Sequence, residues 1–264
     1  MNKKKLFSVI ILSYNNLQYM INCLESVLNQ DYDCIEIVIS DDCSDNLEIE
    51  KIEKYIKKNK KDNIKSYIIN QNRANVGTVK NLNNAIKLAN GNYFINLACD
   101  DLLYDKKVLT NVVKFFENTN YLAATGFIEK FYTYDVNILD KKSPGKWVMN
   151  FINNKTPMEI YKKLCQKNFL AGPGFCYNRD LINIYGFYDE SYRLIEDYSR
   201  YLYLTRNGCK LGFINLCIIK YRAGVGVYYK GMNGDSNDKI YVQYNNDLDL
   251  IKKKEINPYM NYFK

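Results

Sequence analysis

Apolar positions in the first hundred residues follow two alternating periods. Phe7 to Leu12 is almost continuously apolar, which predicts a strand buried on both faces of a parallel sheet. Polar Ser13-Tyr14-Asn15-Asn16 interrupts it and offers a helix N-cap. Leu17, Met20, Ile21, Leu24, Val27 and Leu28 then recur at helical spacing and predict an amphipathic helix to about Asn29. Cys34 to Ser40 predicts a second strand, followed by Asp41-Asp42-Cys43-Ser44-Asp45 and a helix with Ile49, Ile52 and Ile56 on one face. Ile64 to Ile69 predicts a third strand. Thr78 to Ala89 predicts a helix with Val79, Leu82, Ile86 and Ala89 inward, stopped by Asn90-Gly91. Tyr93 to Ala98 predicts a fourth strand running into Asp100-Asp101.

This strand–helix rhythm predicts an α/β protein with a mostly parallel central sheet and helices on both faces. Ligands of such sheets collect at the carboxyl ends of the strands, and both Asp-Asp pairs fall there. Beyond residue 103 the rhythm loosens. Helices are predicted at 106–118, about 158–166 and 196–206, a strand at 210–221, and a loop around Phe169-Leu170-Ala171-Gly172-Pro173-Gly174-Phe175. Without a linker rich in Pro, Gly or Ser, the expected organisation is one compact domain. It has halves at 1–103 and 104–230 and a tail at 231–264.

Composition narrows the chemistry. The 264 residues contain no histidine, which excludes Ser-His and Cys-His pairs, His-ligated zinc and imidazole acid–base catalysis. The 8 cysteines include no C-x-x-C and sit mostly among apolar neighbours, as reduced thiols of a cytosolic protein do. Acid–base and metal chemistry therefore fall to carboxylates. The lysine-rich start at Met1 is followed by too short an apolar run for a cleavable signal, and no run is long enough to span a bilayer. The net charge of +8 is uneven, with seven Lys against Glu53 and Asp62 between Lys51 and Lys65. A solvated outer helix face and a surface for an anionic membrane both fit that stretch. No nucleic-acid motif accompanies it.

Four groups of residues can carry chemistry. Asp100-Asp101 suits a hard divalent cation, Mg²⁺ or Mn²⁺, completed by phosphate and water, although helix-capping acids have the same composition. Asp41-Asp42 suits a base N–H or ribose hydroxyls, or else an Asx turn. Arg73 and Lys80 flank Gly77, where they would offset diphosphate charge or simply stay on the surface. Glu196-Asp197 opens a helix, and without histidine one of the two is the proton acceptor for a hydroxyl nucleophile; Asp189-Glu190 competes from a surface turn. There is neither a GxGxxG nor a P-loop.

In order and spacing these segments resemble family 2 glycosyltransferases of the GT-A fold, over about residues 6–225. Ser8-Val9-Ile10-Ile11-Leu12-Ser13-Tyr14-Asn15 resembles the family's first strand and loop. Leu24-Glu25-Ser26-Val27-Leu28-Asn29-Gln30 is similar to its E-S-[VI]-L-x-Q helix end. Ile39-Ser40-Asp41-Asp42-Cys43-Ser44-Asp45 resembles its V-D-D-x-S-x-D turn, and Asn75-Val76-Gly77-Thr78-Val79-Lys80-Asn81 its N-x-G-x-x-x-N segment. Leu97-Ala98-Cys99-Asp100-Asp101 takes the place of its D-x-D metal motif, with Ala98 where the family often has Asp. Glu196-Asp197 matches the acidic pair whose Asp is the usual base. The Q-x-x-R-W signature of processive polymerases is absent, so one sugar per encounter is expected.

The resemblance implies an inverting, metal-dependent transfer from a nucleotide-sugar, a UDP-sugar above others, to a saccharide or lipid-linked saccharide in surface-glycan assembly. It places the enzyme in the cytoplasm, with peripheral membrane association in keeping with the basic face. Ser13, Tyr14, Asn15, Asp41, Asp42, Arg73, Gly77, Lys80, Asp100 and Arg222 would line the donor site. Asp100 and Asp101 would hold Mn²⁺ or Mg²⁺, and Asp197 beside Glu196 would be the base. Gly172, Pro173 and Gly174 would meet the acceptor. Three rivals are a sugar-1-phosphate nucleotidyltransferase, a non-catalytic nucleotide-sugar or glycan binder, and a nucleic-acid binder.

Overall fold

A computed structural model describes residues 4–132 and 142–263, with side chains described to residue 260. Met1 to Lys3, residues 133–141 of the second half and Lys264 lie outside the described residues. Strands β1 (Phe7–Ser13), β2 (Ile35–Asp41), β3 (Ile64–Gln71) and β4 (Tyr93–Ala98) form where the apolar runs predict them. They alternate with helices α1 (Met20–Leu28), α2 (Ile49–Asn59) and α3 (Thr78–Leu88). A short 3₁₀ turn at Leu17–Tyr19 precedes α1. Every residue of β2 is buried, including Glu36, whose Oε2 accepts from Ser8 Oγ at 2.6 Å.

After β4 come β5 (Leu102–Leu103), α4 (Val108–Glu117), β6 (Ala123–Tyr132), α5 (Lys146–Asn154), α6 (Pro157–Gln166), β7 (Cys176–Asn178) and α7 (Asp180–Tyr185). The chain continues through α8 (Asp197–Arg206), β8 (Leu211–Ala223), α9 (Gly226–Asn233) and α10 (Lys239–Ile251). All eight strands join one sheet in the order β3-β2-β1-β4-β7-β6-β8-β5. Strands β1 to β4 are mutually parallel, β6 and β8 are parallel, and β7 and β5 run against their neighbours. The sheet therefore runs without a break across residue 103.

Helices α1, α2 and α4 bury Leu24, Ile56 and Val112 on one face of the sheet. Helices α3, α5, α6 and α8 bury Leu82, Ile152, Leu164 and Leu202 on the other. Each fully buried Leu or Ile contributes roughly 1.5–3 kcal/mol of burial free energy. Helix α2 keeps Ile52 and Ile56 inward and its lysines outward, but Ile49 at its first turn is exposed. Lys51 and Lys57 pair with Glu48 and Glu53 on that outer face. The eight cysteines are free thiols, buried or half-buried. Among the described residues no helix is long and apolar enough to cross a membrane.

The chain leaves β1 toward β2 on one side and returns to β4 on the other, so the carboxyl ends of β1 and β4 form the topological switch point of the parallel half. The loops at 13–16, 41–46 and 98–101 meet at this rim.

Candidate active site

Two carboxylates organise the first half of the rim. Asp41 is fully buried. Its Oδ1 accepts from the Ser44 amide at 2.7 Å and from Gln71 Nε2 at 3.4 Å. Its Oδ2 accepts from Ser13 Oγ at 2.8 Å and Ser44 Oγ at 2.6 Å. A carboxylate offers about four acceptor sites, so Asp41 is saturated by the protein and locks the end of β2 to the end of β1. Ser13 is buried in that bond. Asn15, at φ +50°, donates its amide to Ser44 Oγ, while Tyr14 is exposed.

Asp42 turns the other way. Its Oδ1 accepts from the Val76 amide at 2.9 Å and Asn72 Nδ2 at 3.0 Å, and its Oδ2 from the Gly77 amide at 2.8 Å. It thus grips the loop that opens α3 and retains about one free acceptor position. Gly77 has φ +91°, and a Cβ there would stand 2.6 Å from the Arg193 carbonyl oxygen, so no other residue fits. Arg73 is exposed on the neighbouring loop. Lys80 is also exposed, with its ammonium 3.9 Å from Glu190 Oε2. Asp189 pairs with Lys254 at 2.5 Å; the Asp189-Glu190 pair is thus engaged at the surface.

Asp100 and Asp101 follow β4, both buried. The Arg222 amide donates to Asp101 Oδ1 at 2.9 Å, and Arg222 Nε to the Asp100 carbonyl at 3.0 Å. The guanidinium itself lies over the rings of Tyr19 and Phe131. Burial pushes the Asp100 carboxyl above its ordinary range, and Arg222 opposes it. Burial pushes Asp101 further up, with the Asp100 charge adding to it. Two desolvated like charges with one cationic neighbour favour a bound cation. The hard oxygen donors fit Mg²⁺ or Mn²⁺, and among the described residues no third His, Cys, Asp or Glu converges with them. The remainder of a coordination shell would be phosphate and water, the habit of these ions at nucleotide sites.

The second acidic pair stands at the N-terminus of α8. Glu196 is the N-cap residue and Asp197 the first helical one; Asp197 Oδ1 accepts from the Tyr198 amide at 2.7 Å. Burial, then the Asp197 and Asp247 charges, push Glu196 up to about 8. Burial also raises Asp197, opposed by the amides of the helix start. Burial thus favours the proton on Glu196, while the helix-start amides favour the ionised form at Asp197. Gly172 faces it: a Cβ on Gly172 would lie 2.5 Å from Asp197 Oδ2. Gly174 points elsewhere, beneath the sheet toward Ile218 and Ile219, and Pro173 is half-buried between them.

Three tyrosines outside the sequence-derived set join the two acidic pairs. Tyr221 is desolvated and feels the charges of Asp101 and Asp100, and then Tyr228 and Tyr244. Tyr244 is desolvated beside Asp197, Tyr228 and Glu196. Tyr228 and Tyr244 meet edge to face at 6.4 Å, and Gly226, before Tyr228, approaches Asp100 Oδ2 to 3.4 Å at its ideal Cβ. Local spacing carries no signal for these tyrosines, because they arrive from β8, α9 and α10. Thus one rim holds Asp100, Asp101, Glu196, Asp197 and an aromatic wall.

The pKa of Glu196 makes stability depend on pH. The folded state binds this proton up to about pH 8, whereas the unfolded chain releases it near the ordinary glutamate value of about 4.3. The contribution is complete below that value and is lost as pH rises through about 8. In EDTA the melting temperature is expected to fall between pH 5 and pH 8.5, and Glu196→Gln to flatten this slope; calorimetry across that range checks it.

A mostly parallel α/β sheet with a topological switch point and two desolvated acidic pairs beyond its strand ends suits a sugar-nucleotide-dependent transferase. The comparisons with known proteins agree. The model of glycosyl transferase family 2 matches residues 8–185, and the chain belongs to that family. An uncharacterized glycosyltransferase of Haemophilus influenzae is 25% identical over 267 residues, covering 97% of this chain and 75% of that protein. Residues 1–349 of TarS from S. aureus, in complex with UDP-GlcNAc, superpose with TM-score 0.63 at 18% identity, covering 98% of this chain and 76% of the other. The mannosyltransferase PcManGT of Pyrobaculum calidifontis, in complex with GDP-Man and Mn²⁺, gives 0.61 at 13% identity over 99% and 79%. The fold is GT-A, and the chain is a nucleotide-sugar-dependent glycosyltransferase.

Proposed function

We propose that this enzyme transfers one sugar per encounter, with inversion, from a UDP-sugar to a hydroxyl of a saccharide or lipid-linked saccharide. The observation that carries the proposal is the Tyr228–Tyr244 contact at 6.4 Å, with Gly226 against Asp100 on one side and the Asp197 charge acting on Tyr244 on the other. UDP-GlcNAc is the first donor to test, since it is the ligand of the superposed TarS structure.

Asp42 and the 75–77 loop it grips frame the base, with Ser13, Tyr14 and Asn15 on the opposite lip. Asp41 supports them from beneath. Asp100 and Asp101 would hold Mn²⁺ or Mg²⁺, and Asp100 would also serve the ribose. A bound divalent ion supplies Lewis-acid stabilisation of the departing diphosphate. Arg222 adds fixed positive charge behind the same turn. Lys80 and Arg73, exposed in this structure, serve the diphosphate only by swinging inward.

Asp197 accepts the proton of the acceptor hydroxyl as that oxygen bonds to the anomeric carbon from the face opposite UDP. The bond from that carbon to the diphosphate oxygen breaks, and its electron pair leaves with UDP. Protonated Glu196 keeps the negative charge on its neighbour. Gly172 leaves room for the hydroxyl beside Asp197, and Pro173 with Gly174 shapes the turn beneath. Work on surface glycans at the cytoplasmic face of a membrane accords with the exposed lysines of α2.

Incubation with UDP-, GDP- and dTDP-sugars in Mn²⁺ tests the donor. Faster hydrolysis of UDP-GlcNAc than of GDP-mannose is the expected outcome; preference for a guanosine or thymidine nucleotide overturns the UDP assignment.

A further inference from the structure

Asp247 lies on α10, beyond the residues that the family model matches. It is buried, at 1% exposure. Its Oδ2 accepts three consecutive backbone amides: Arg193 at 3.0 Å, Leu194 at 2.6 Å and Ile195 at 3.0 Å. Its Oδ1 accepts from Gln243 Nε2 at 2.9 Å. A buried carboxylate is tolerated where amides satisfy it, and here they belong to the segment that runs directly into Glu196 and Asp197.

That segment is held from the other side as well. The Arg193 guanidinium donates to the carbonyls of Val76 at 3.2 Å and Asn75 at 3.0 Å, and the Arg193 carbonyl accepts from the Val79 amide at 3.2 Å. This is the loop whose amides bind Asp42. At the far end of α8, Arg206 pairs with Glu255 at 2.8 Å, just past α10. The chain after β8 therefore grips α8 at both ends, and Arg193 ties its start to the donor loop. Displacing a catalytic group by about 1 Å lowers rates by about 10²-fold.

We propose that Asp247 is a positioning residue for sugar transfer, holding the 193–195 turn in the conformation that presents Asp197 to the attacking hydroxyl. The inference rests on the reading of Asp197 as the base. Its test is a double-mutant cycle on the full chain, following UDP-GlcNAc turnover, or that of the sugar nucleotide the donor screen selects. UDP–Mn²⁺ affinity is measured by calorimetry in parallel.

Asp247→Ala is expected to lower kcat by about 10²-fold, with donor KM and UDP affinity within about threefold of the parent. Asp247→Asn, which keeps an acceptor oxygen, is expected to recover most of the loss. In an Asp197→Asn background, Asp247→Ala is expected to lower the residual rate by less than about twofold, because groups acting through one another are non-additive. Unchanged kcat, an equal loss in both backgrounds, or a loss carried by UDP affinity overturns the proposal. If Asp247→Ala does not fold, Asp247→Asn runs the same cycle, its smaller loss vanishing beside Asp197→Asn. A near-parental rate in Asp197→Asn alone removes the base assignment itself, a different failure from additivity in the cycle.

Discussion

Asp197→Asn is expected to keep UDP bound at near-parental affinity while sugar transfer falls by about 10²–10⁴-fold, the usual contribution of a positioned general base. The amide keeps the shape of the side chain, including the Oδ1 that accepts the Tyr198 amide at 2.7 Å, so the start of α8 has no reason to move. Only the capacity to accept a proton is lost. Glu196 does not replace it at lower pH, because burial and the Asp247 charge still hold its carboxyl above the ordinary range once the Asp197 charge is gone. Residual activity in the Asn variant is therefore expected to rise with pH, with its midpoint below the value of about 8 that Glu196 has beside ionised Asp197. Measuring kcat between pH 6 and pH 9 beside UDP affinity checks both parts. A variant that transfers sugar at the parental rate while binding donor sinks the assignment.

Asp101→Asn is expected to separate stability from activity. Asp101 is among the least accessible charges at the rim, and both burial and Asp100 oppose its ionisation. An asparagine keeps an oxygen for the Arg222 amide, now 2.9 Å away, and removes the like-charge repulsion. In EDTA the variant is expected to melt at or above the parent's temperature. With Mn²⁺ present, UDP binding is expected to lose its metal enhancement. Transfer is expected to fall by about 10²–10³-fold, since losing several kcal/mol of charge stabilisation at the leaving group has that effect. Equal UDP affinity with and without Mn²⁺ in the parent enzyme contradicts the metal assignment. A lowered melting temperature that accounts for the whole activity loss does so too.

The family turns out to be readable from short motifs because each keeps its chemistry within a few residues. Asp41-Asp42 and Asp100-Asp101 follow apolar runs that are strands in the structure. Strand β6 was missed for a local reason. Ala123, Ala124, Thr125 and Gly126 open it with small side chains, buried on both faces, so neither alternation nor a β-branched run marks it. Strand β7, at three residues, is too short for a period. The segment 231–264, set apart as a tail, contains α10, whose Ile251 is fully buried in the core beneath α8. Its remaining side chains, such as Asn245 and Asn246, hide that role.

By itself the chain's order of apolar and acidic residues determined the parallel half of the sheet, the rim where ligands gather and the carboxylates available there. Those follow from backbone periodicity and from the absence of histidine, both local properties. Tertiary structure alone decided which carboxylates remain available to a ligand: Asp41 is saturated within the protein, Asp42 grips the α3 loop, and Lys80 faces Glu190. It also brought Asp247 beneath the turn that carries Asp197, and half-buried Glu196 where desolvation and the Asp197 charge push it up to about 8. Hydrogen-bond partners and desolvation are set by elements far apart in sequence meeting in space, and spacing along the chain does not encode that meeting.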